Sequence, residues 1–206
     1  MNTFEGINIP MAIVDLIPVV LFFMAAMLLL KDLYRKLYKG AYALLATGSI
    51  MVLTGGIFKA LWKVLVALGI CDFRALDISF FPLSGVGFML VFLSLVGSLR
   101  KHEESLLAAV AVPEFTSNMP FVALQVVGCG GMQIMLMLIA KRMKAKKAII
   151  LFVIAFITML GMGYLSAKFD DSSSMHWMAQ VTNIVSNLCL YLGVLMLHKN
   201  GLSETK

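Results

Sequence analysis

Long apolar stretches alternate with short polar segments along most of the 206-residue chain. Each stretch is about 20 residues long, which is the length an α-helix needs to cross the hydrocarbon core of a bilayer. Six stretches are clear, at 10–30, 41–66, 76–98, 119–140, 148–167 and 175–197. The pattern predicts an all-α integral membrane protein, a polytopic helical bundle in which residues 1–206 form a single membrane domain.

A less regular stretch lies between the third and fourth of these spans, at 101–118. Its apolar core is short and ends at Pro113, which Glu114 follows. As a helix, 101–118 would extend only about 27 Å at 1.5 Å per residue, and it carries Glu103, Glu104 and Glu114, so it is a poor spanning helix unless its ends lie at the interface. Seven transmembrane helices are expected if it crosses, and six helices with an interfacial segment are expected if it does not.

The positions of the basic residues favour seven helices. They are concentrated in two loops, at 31–39 and at 141–147. Short basic loops are usually retained in the cytoplasm, and these two loops fall on the same side only if 101–118 crosses. The preferred topology therefore places the N-terminus outside and the C-terminus in the cytoplasm.

An internal similarity fits this topology. A single shift superposes Lys39 on Lys147 and Gly55 on Gly163. It also superposes an apolar helix, a basic loop and a glycine-bearing helix on the same three elements further along the chain. Two three-helix units in the same orientation need an odd number of linking spans, so a 3+1+3 parallel repeat requires seven helices. The repeat units are predicted at 9–98 and 119–198, with 101–118 as the linker.

This plan of three, one and three helices is similar to that of the SWEET and PnuC group of small-solute transporters. The resemblance covers most of the chain as architecture, and it implies transport of a small solute. The Pro-Gln signature of the group is absent, because Val19 follows Pro18. No functional residue is therefore transferred from that group to this chain.

The last predicted span carries a stripe of polar residues. Helical spacing places His176, Gln180, Asn183, Asn187 and Tyr191 on one face, and the opposite face is apolar. Such a stripe faces protein or water rather than lipid, so it either forms hydrogen bonds between helices or lines a cavity. Five polar residues in register favour a cavity.

Further polar groups occur in the other spans, and ionisable residues inside a membrane are functional candidates. The carboxylates of Asp15 and Asp77 are expected to balance the ammonium groups of Lys59 and Lys63, because charges buried in a bundle need partners. For Lys63, a side chain extending to the membrane interface is favoured over an interior position. All these groups fall in one half of the bundle, the outer half in the preferred topology. The predicted ligand-binding residues are Asp15, Lys59, Asp77, Gln125, His176, Gln180, Asn183 and Asn187.

Composition narrows the functional classes. With 61% hydrophobic and 14% charged residues, the chain departs too far from soluble proteins, which have about 45–50% apolar and about 25% charged residues. The net charge of +6 is explained by the basic loops, so a nucleic-acid partner is excluded. The three cysteines form no metal-binding spacing, and hydrolase motifs are absent. No cofactor or metal is predicted.

The function that these features favour is a membrane transporter or facilitator for a small polar or zwitterionic solute. One alternative is a ligand-sensing or lipid-binding membrane protein that does not transport. Another is a membrane-embedded lipid enzyme with Asp15 and His176 as an acid–base pair. The expected partners are the lipid bilayer and a small solute, and the sequence is compatible with a homo-oligomer.

Overall fold

A computed structural model describes residues 9–99, 119–167 and 173–204. Within these ranges the chain is helical and contains no strand. The helices are α1 (Ile9–Val14), α2 (Leu16–Leu33), α3 (Lys39–Ala67), α4 (Arg74–Ile78), α5 (Phe80–Leu99), α6 (Met119–Arg142), α7 (Lys146–Ala167) and α8 (Ser173–Lys199).

Five segments in the described ranges are long and apolar enough to cross a membrane, judged by length and composition. The prediction of a helical membrane bundle is thereby confirmed. The additional helix predicted at 101–118, which would be the fourth of seven in chain order, lies outside the described residues. The five segments are Ile9–Leu33, Lys39–Ala67, Arg74–Ser98, Pro120–Arg142 and Trp177–Lys199.

Two predicted spans are each broken near the end that lies far from the basic loops. The first span breaks at Asp15, between α1 and α2, and the third breaks at Ser79, between α4 and α5. In both cases a proline follows three residues later, at Pro18 and Pro82. Proline has no N–H and its ring crowds the carbonyl four residues before it, so the helix deforms just ahead of it.

Six helices form a closed ring in which each packs against its neighbours in the sequence. The contacts run from α2 to α3, α3 to α5, α5 to α6, α6 to α7 and α7 to α8, and α8 packs back against α2. The first and last long helices of the described chain therefore complete the ring.

The helix directions follow from contacts between particular residues. Along α5 and α6 the contacts advance together, because Gly85 lies against Phe121 and Gly128 lies against Met89, so these two helices are parallel. The hydroxyl of Ser94 donates to the carbonyl of Ala41 over 2.7 Å, near the end of α5 and the start of α3, so α3 and α5 are antiparallel.

The remaining pairs complete this arrangement. Ser186 of α8 donates to the carbonyl of Ala155 in α7, and Gly193 lies against Phe152, which makes α7 and α8 antiparallel. The C-terminal ends of α2 and α8 meet at Asp32 and His198. Helices α2, α5, α6 and α8 thus run one way and α3 and α7 run the other.

Both basic loops consequently lie at the same end of the bundle, together with the C-terminal end of α8. We call this the basic end and the other the opposite end. The connected apolar core lies in the middle of the bundle and toward the basic end. Its most deeply buried members include Leu45, Leu95, Leu136, Val194 and Leu197, each 0% exposed.

Candidate functional site

A buried ion pair links α3 to the break between α1 and α2. The Nζ atom of Lys63 lies 2.6 Å from Oδ2 of Asp15, and the two side chains are 11% and 10% exposed. The expectation that Lys63 extends to the membrane interface is therefore wrong. The break three residues before Pro18 places a carboxylate opposite α3, and the lysine pairs with it inside the bundle.

Lys59 lies one helical turn before Lys63 and faces the start of α5. Its Nζ atom is 4.3 Å from the centre of the Phe80 ring, a cation–π distance. Asp77 lies in α4, directly before α5, and is half-buried. We call Asp15, Lys59, Lys63 and Asp77 the charge cluster, which has a formal net charge of zero.

Gln125 contacts α5 through Ser84. The Ser84 hydroxyl is 2.6 Å from the Phe80 carbonyl and 3.1 Å from Oε1 of Gln125. If the Gln125 amide is turned so that its NH₂ group faces Ser84, the hydroxyl donates to Phe80 and accepts from Gln125, which satisfies both groups. Gly85 beside this contact lets the helices approach, since a β-carbon there would lie 2.6 Å from the Phe121 carbonyl oxygen.

The polar stripe of α8 faces the interior of the bundle. Gln180 is 4% exposed, and its Nε2 atom has no hydrogen-bond partner in the described part of the chain. Asn183 and Asn187 are half-buried and bonded to each other, with Nδ2 of Asn187 donating to Oδ1 of Asn183 over 2.9 Å. On the opposite face, Met178 and Val181 are more than half exposed.

The remaining predicted residue is His176. It lies in α8, and its side chain falls outside the described residues.

Gln133 is a candidate that the prediction did not include. It lies in α6 among core residues and is 1% exposed. Its Nε2 atom reaches only the Cys129 sulfur, at 3.8 Å, and its Oε1 atom has no partner in the described ranges. A buried polar group without a partner costs about 1–3 kcal/mol. The four-residue spacing of Gln125, Cys129 and Gln133 was the signal in the sequence.

A second polar cluster, which the sequence did not reveal, joins α2 to α8 at the basic end. Nδ1 of His198 lies 2.8 Å from Oδ1 of Asp32, and Asp32 is 2% exposed. Lys36 donates to the carbonyl of Leu202 in the turn after α8. We call Asp32, Lys36, His198 and Leu202 the clasp. Burial lowers the pKa of Lys36 below its usual value. The charge of Asp32 acts in the opposite direction and offsets only part of this shift.

Two surface cavities lie away from the predicted residues. One, of about 460 Å³, is at the basic end between the start of α7 and the end of α8, beside Lys144 and Lys199. The other, of about 300 Å³, is an apolar groove that includes Val126 and Phe156. In this conformation the polar groups of the opposite half line neither of these cavities.

Comparisons with known proteins add no assignment. No family model, no curated protein and no solved structure matches the chain. The described residues contain no group of three or more His, Cys, Asp or Glu side chains that could hold a metal ion. The geometry of the bundle therefore carries the functional argument.

Proposed function

We propose that this chain is a multi-pass membrane carrier or facilitator for a small polar or zwitterionic solute. The observation that carries the proposal is the difference between the side chains that fill the two ends of the bundle. Toward the basic end, the helices are sealed by the connected apolar core and the clasp. Toward the opposite end, the interior contains the charge cluster and the amides of Gln125 and Gln180. A bundle that is polar toward one end and sealed at the other suits a carrier closed on one side.

The proposal includes seven membrane crossings, with the basic end in the cytoplasm. Parallel packing of α5 and α6 puts Leu99 at the basic end and Met119 at the opposite end. A chain that returns between these ends crosses once more, and a helix of 19 residues covers about 28 Å. The two basic loops then lie together on the cytoplasmic side, in agreement with the positive-inside rule.

The directions of the helices also support the proposed repeat. The first unit consists of α2, α3 and α5, and its middle helix is antiparallel to the other two. The second unit, α6, α7 and α8, repeats this pattern in the same orientation. Two units of this kind meet along two seams, one between α5 and α6 and the other between α8 and α2. Rocking of one unit against the other would expose the polar interior to each side in turn.

Solute flux into proteoliposomes tests the transport proposal. We expect Lys59→Met and Asn183→Leu to reduce flux, since each removes a polar group from the proposed pathway. Matched controls are Lys31→Met at the exposed C-terminal end of α2 and Val185→Leu on the exposed face of α8, which should retain flux. Unchanged flux in both pathway variants would contradict the proposal.

Cysteine labelling tests the topology. Single cysteines at Ser117, Lys144 and Ser173 are labelled from each side of sealed vesicles in a background without native cysteines. Seven crossings predict that Ser117 and Ser173 react from one side and Lys144 from the other. Reaction of Ser117 and Lys144 from the same side excludes seven crossings.

Other outcomes would indicate the alternative functions. Saturable binding of a solute without any flux would indicate a sensor or a binding protein. Turnover of a lipid that is lost in Asp15→Asn and in His176→Ala would indicate an enzyme.

A further inference from the structure

Two buried amides in the interior each leave one polar atom without a partner in the described part of the chain. These atoms are Nε2 of Gln180 and Oε1 of Gln133, and the residues are 4% and 1% exposed. Buried polar side chains in proteins are nearly always hydrogen-bonded, so each exception needs an explanation.

The two amides lie at different depths along helices that run in the same direction. Gln180 is seven residues from the start of α8, and Gln133 is fourteen residues from the start of α6. At 1.5 Å per residue, Gln133 is about 10 Å deeper, counted along each helix. Gln180 therefore lies in the opposite half, and Gln133 lies within the apolar core that seals the basic end.

The charged groups of the interior that carry this argument already have partners. Asp15 is paired with Lys63 at 2.6 Å, and the Nζ atom of Lys59 lies 4.3 Å from the centre of the Phe80 ring. An ionic solute would have to break these contacts, and α6 carries no charged residue from Met119 to Ala140. The unsatisfied groups are neutral, and they offer hydrogen bonds to a neutral partner.

We infer that the solute is uncharged, a polyol or a simple amide, and that it hydrogen-bonds first to Gln180 and then to Gln133. This inference rests on the proposed transport function and narrows its substrate class. Gln133 lies among apolar core residues, and its Oε1 atom has no partner in the described ranges. A hydrogen bond that forms while the solute passes would satisfy this atom.

Replacement of the two glutamines of α6 by methionine separates this role from a structural one. Gln133→Met removes an unpaired polar group, so the melting temperature should rise by about 2–4 °C, while polyol or amide flux falls roughly tenfold, the equivalent of one hydrogen bond. Gln125→Met is the matched control. It removes a contact that is made to Ser84, so its melting temperature should fall.

The probes are xylitol and acetamide as neutral solutes, glutamine as a zwitterion and choline as a cation, each tested in proteoliposomes and in empty liposomes. Protein-dependent flux of a neutral probe, lost in Gln133→Met, is the expected result. Flux of glutamine or choline alone, or neutral flux unchanged in Gln133→Met, overturns this inference and leaves the carrier proposal intact. Absence of protein-dependent flux for every probe contradicts both.

Discussion

The Asp15–Lys63 pair holds two opposite charges in the interior of the bundle, where either charge without its partner is energetically unfavourable. Lys63→Met would leave the Asp15 carboxylate buried without its partner, and breaking a buried pair in this way costs about 3–5 kcal/mol. We expect the free energy of unfolding in detergent to fall by that amount. The double variant Lys63→Met with Asp15→Asn should lose much less than the sum of the two single variants.

Denaturation of the four proteins in this double-mutant cycle provides the measurement. Lys39→Met, at the exposed start of α3, controls for the loss of a lysine. Additive losses in the double variant would show that Lys63 and Asp15 are not coupled.

The sequence indicated which residues were unusual better than it indicated their partners. Asp15, Lys59, Asp77 and Gln180 stand out because polar groups are rare in apolar spans. The partner of Lys63 could not be predicted, because it depends on the break before Pro18 and on the rotation of α3. Asp32 and His198 looked like ordinary interfacial residues near helix ends, since nothing local shows that α2 and α8 are neighbours.

At the scale of elements, glycines decide how closely α5 and α6 approach. A β-carbon at Gly128 would lie 2.5 Å from the Met89 backbone nitrogen, whereas one at Gly161 would meet nothing within 4 Å. Gly128→Ala should therefore destabilise the protein by about 1–3 kcal/mol through overpacking. Gly161→Ala should be neutral or stabilising by up to about 1 kcal/mol, because alanine favours a helix.

Thermal or chemical denaturation of the two variants provides the comparison. Equal effects at both positions would mean that the α5–α6 approach is not limited by backbone contact.

The helices themselves were predictable within a few residues, because long apolar stretches leave little choice in a membrane. Pro18 indicated in the sequence that the backbone of the first helix could open after Asp15. The break at Ser79 was not predicted, although it has the same signal, a proline three residues later. The ring order was also beyond the sequence. Packing between α5 and α6, or between α8 and α2, depends on side-chain fit across the bundle.

At the scale of the whole molecule, the clasp closes one of the two seams between the units. A hydrogen bond to a charged group contributes about 1.5–3 kcal/mol, so its loss should raise the population open at the basic end roughly 10–150-fold. We expect Asp32→Asn to increase labelling of a cysteine at Ser94, which is 0% exposed in the core, by a thiol reagent added from the basic side.

The readout is the labelling rate in a background without native cysteines. Lys31→Gln, which changes an exposed residue next to Asp32 in α2, should leave that rate unchanged. An equal rate with and without Asp32 would show that the clasp does not keep this end closed.

Closure of the ring by its first and last long helices also sets an order for biosynthesis. Until α8 emerges from the ribosome, α2 lacks its neighbour and Asp32 lacks His198. The nascent protein therefore inserts its earlier helices as an open arc with a polar edge. A chain that stops before α8 keeps the ring open at α2, so the packing of α8 against α2 is the last step in forming the ring.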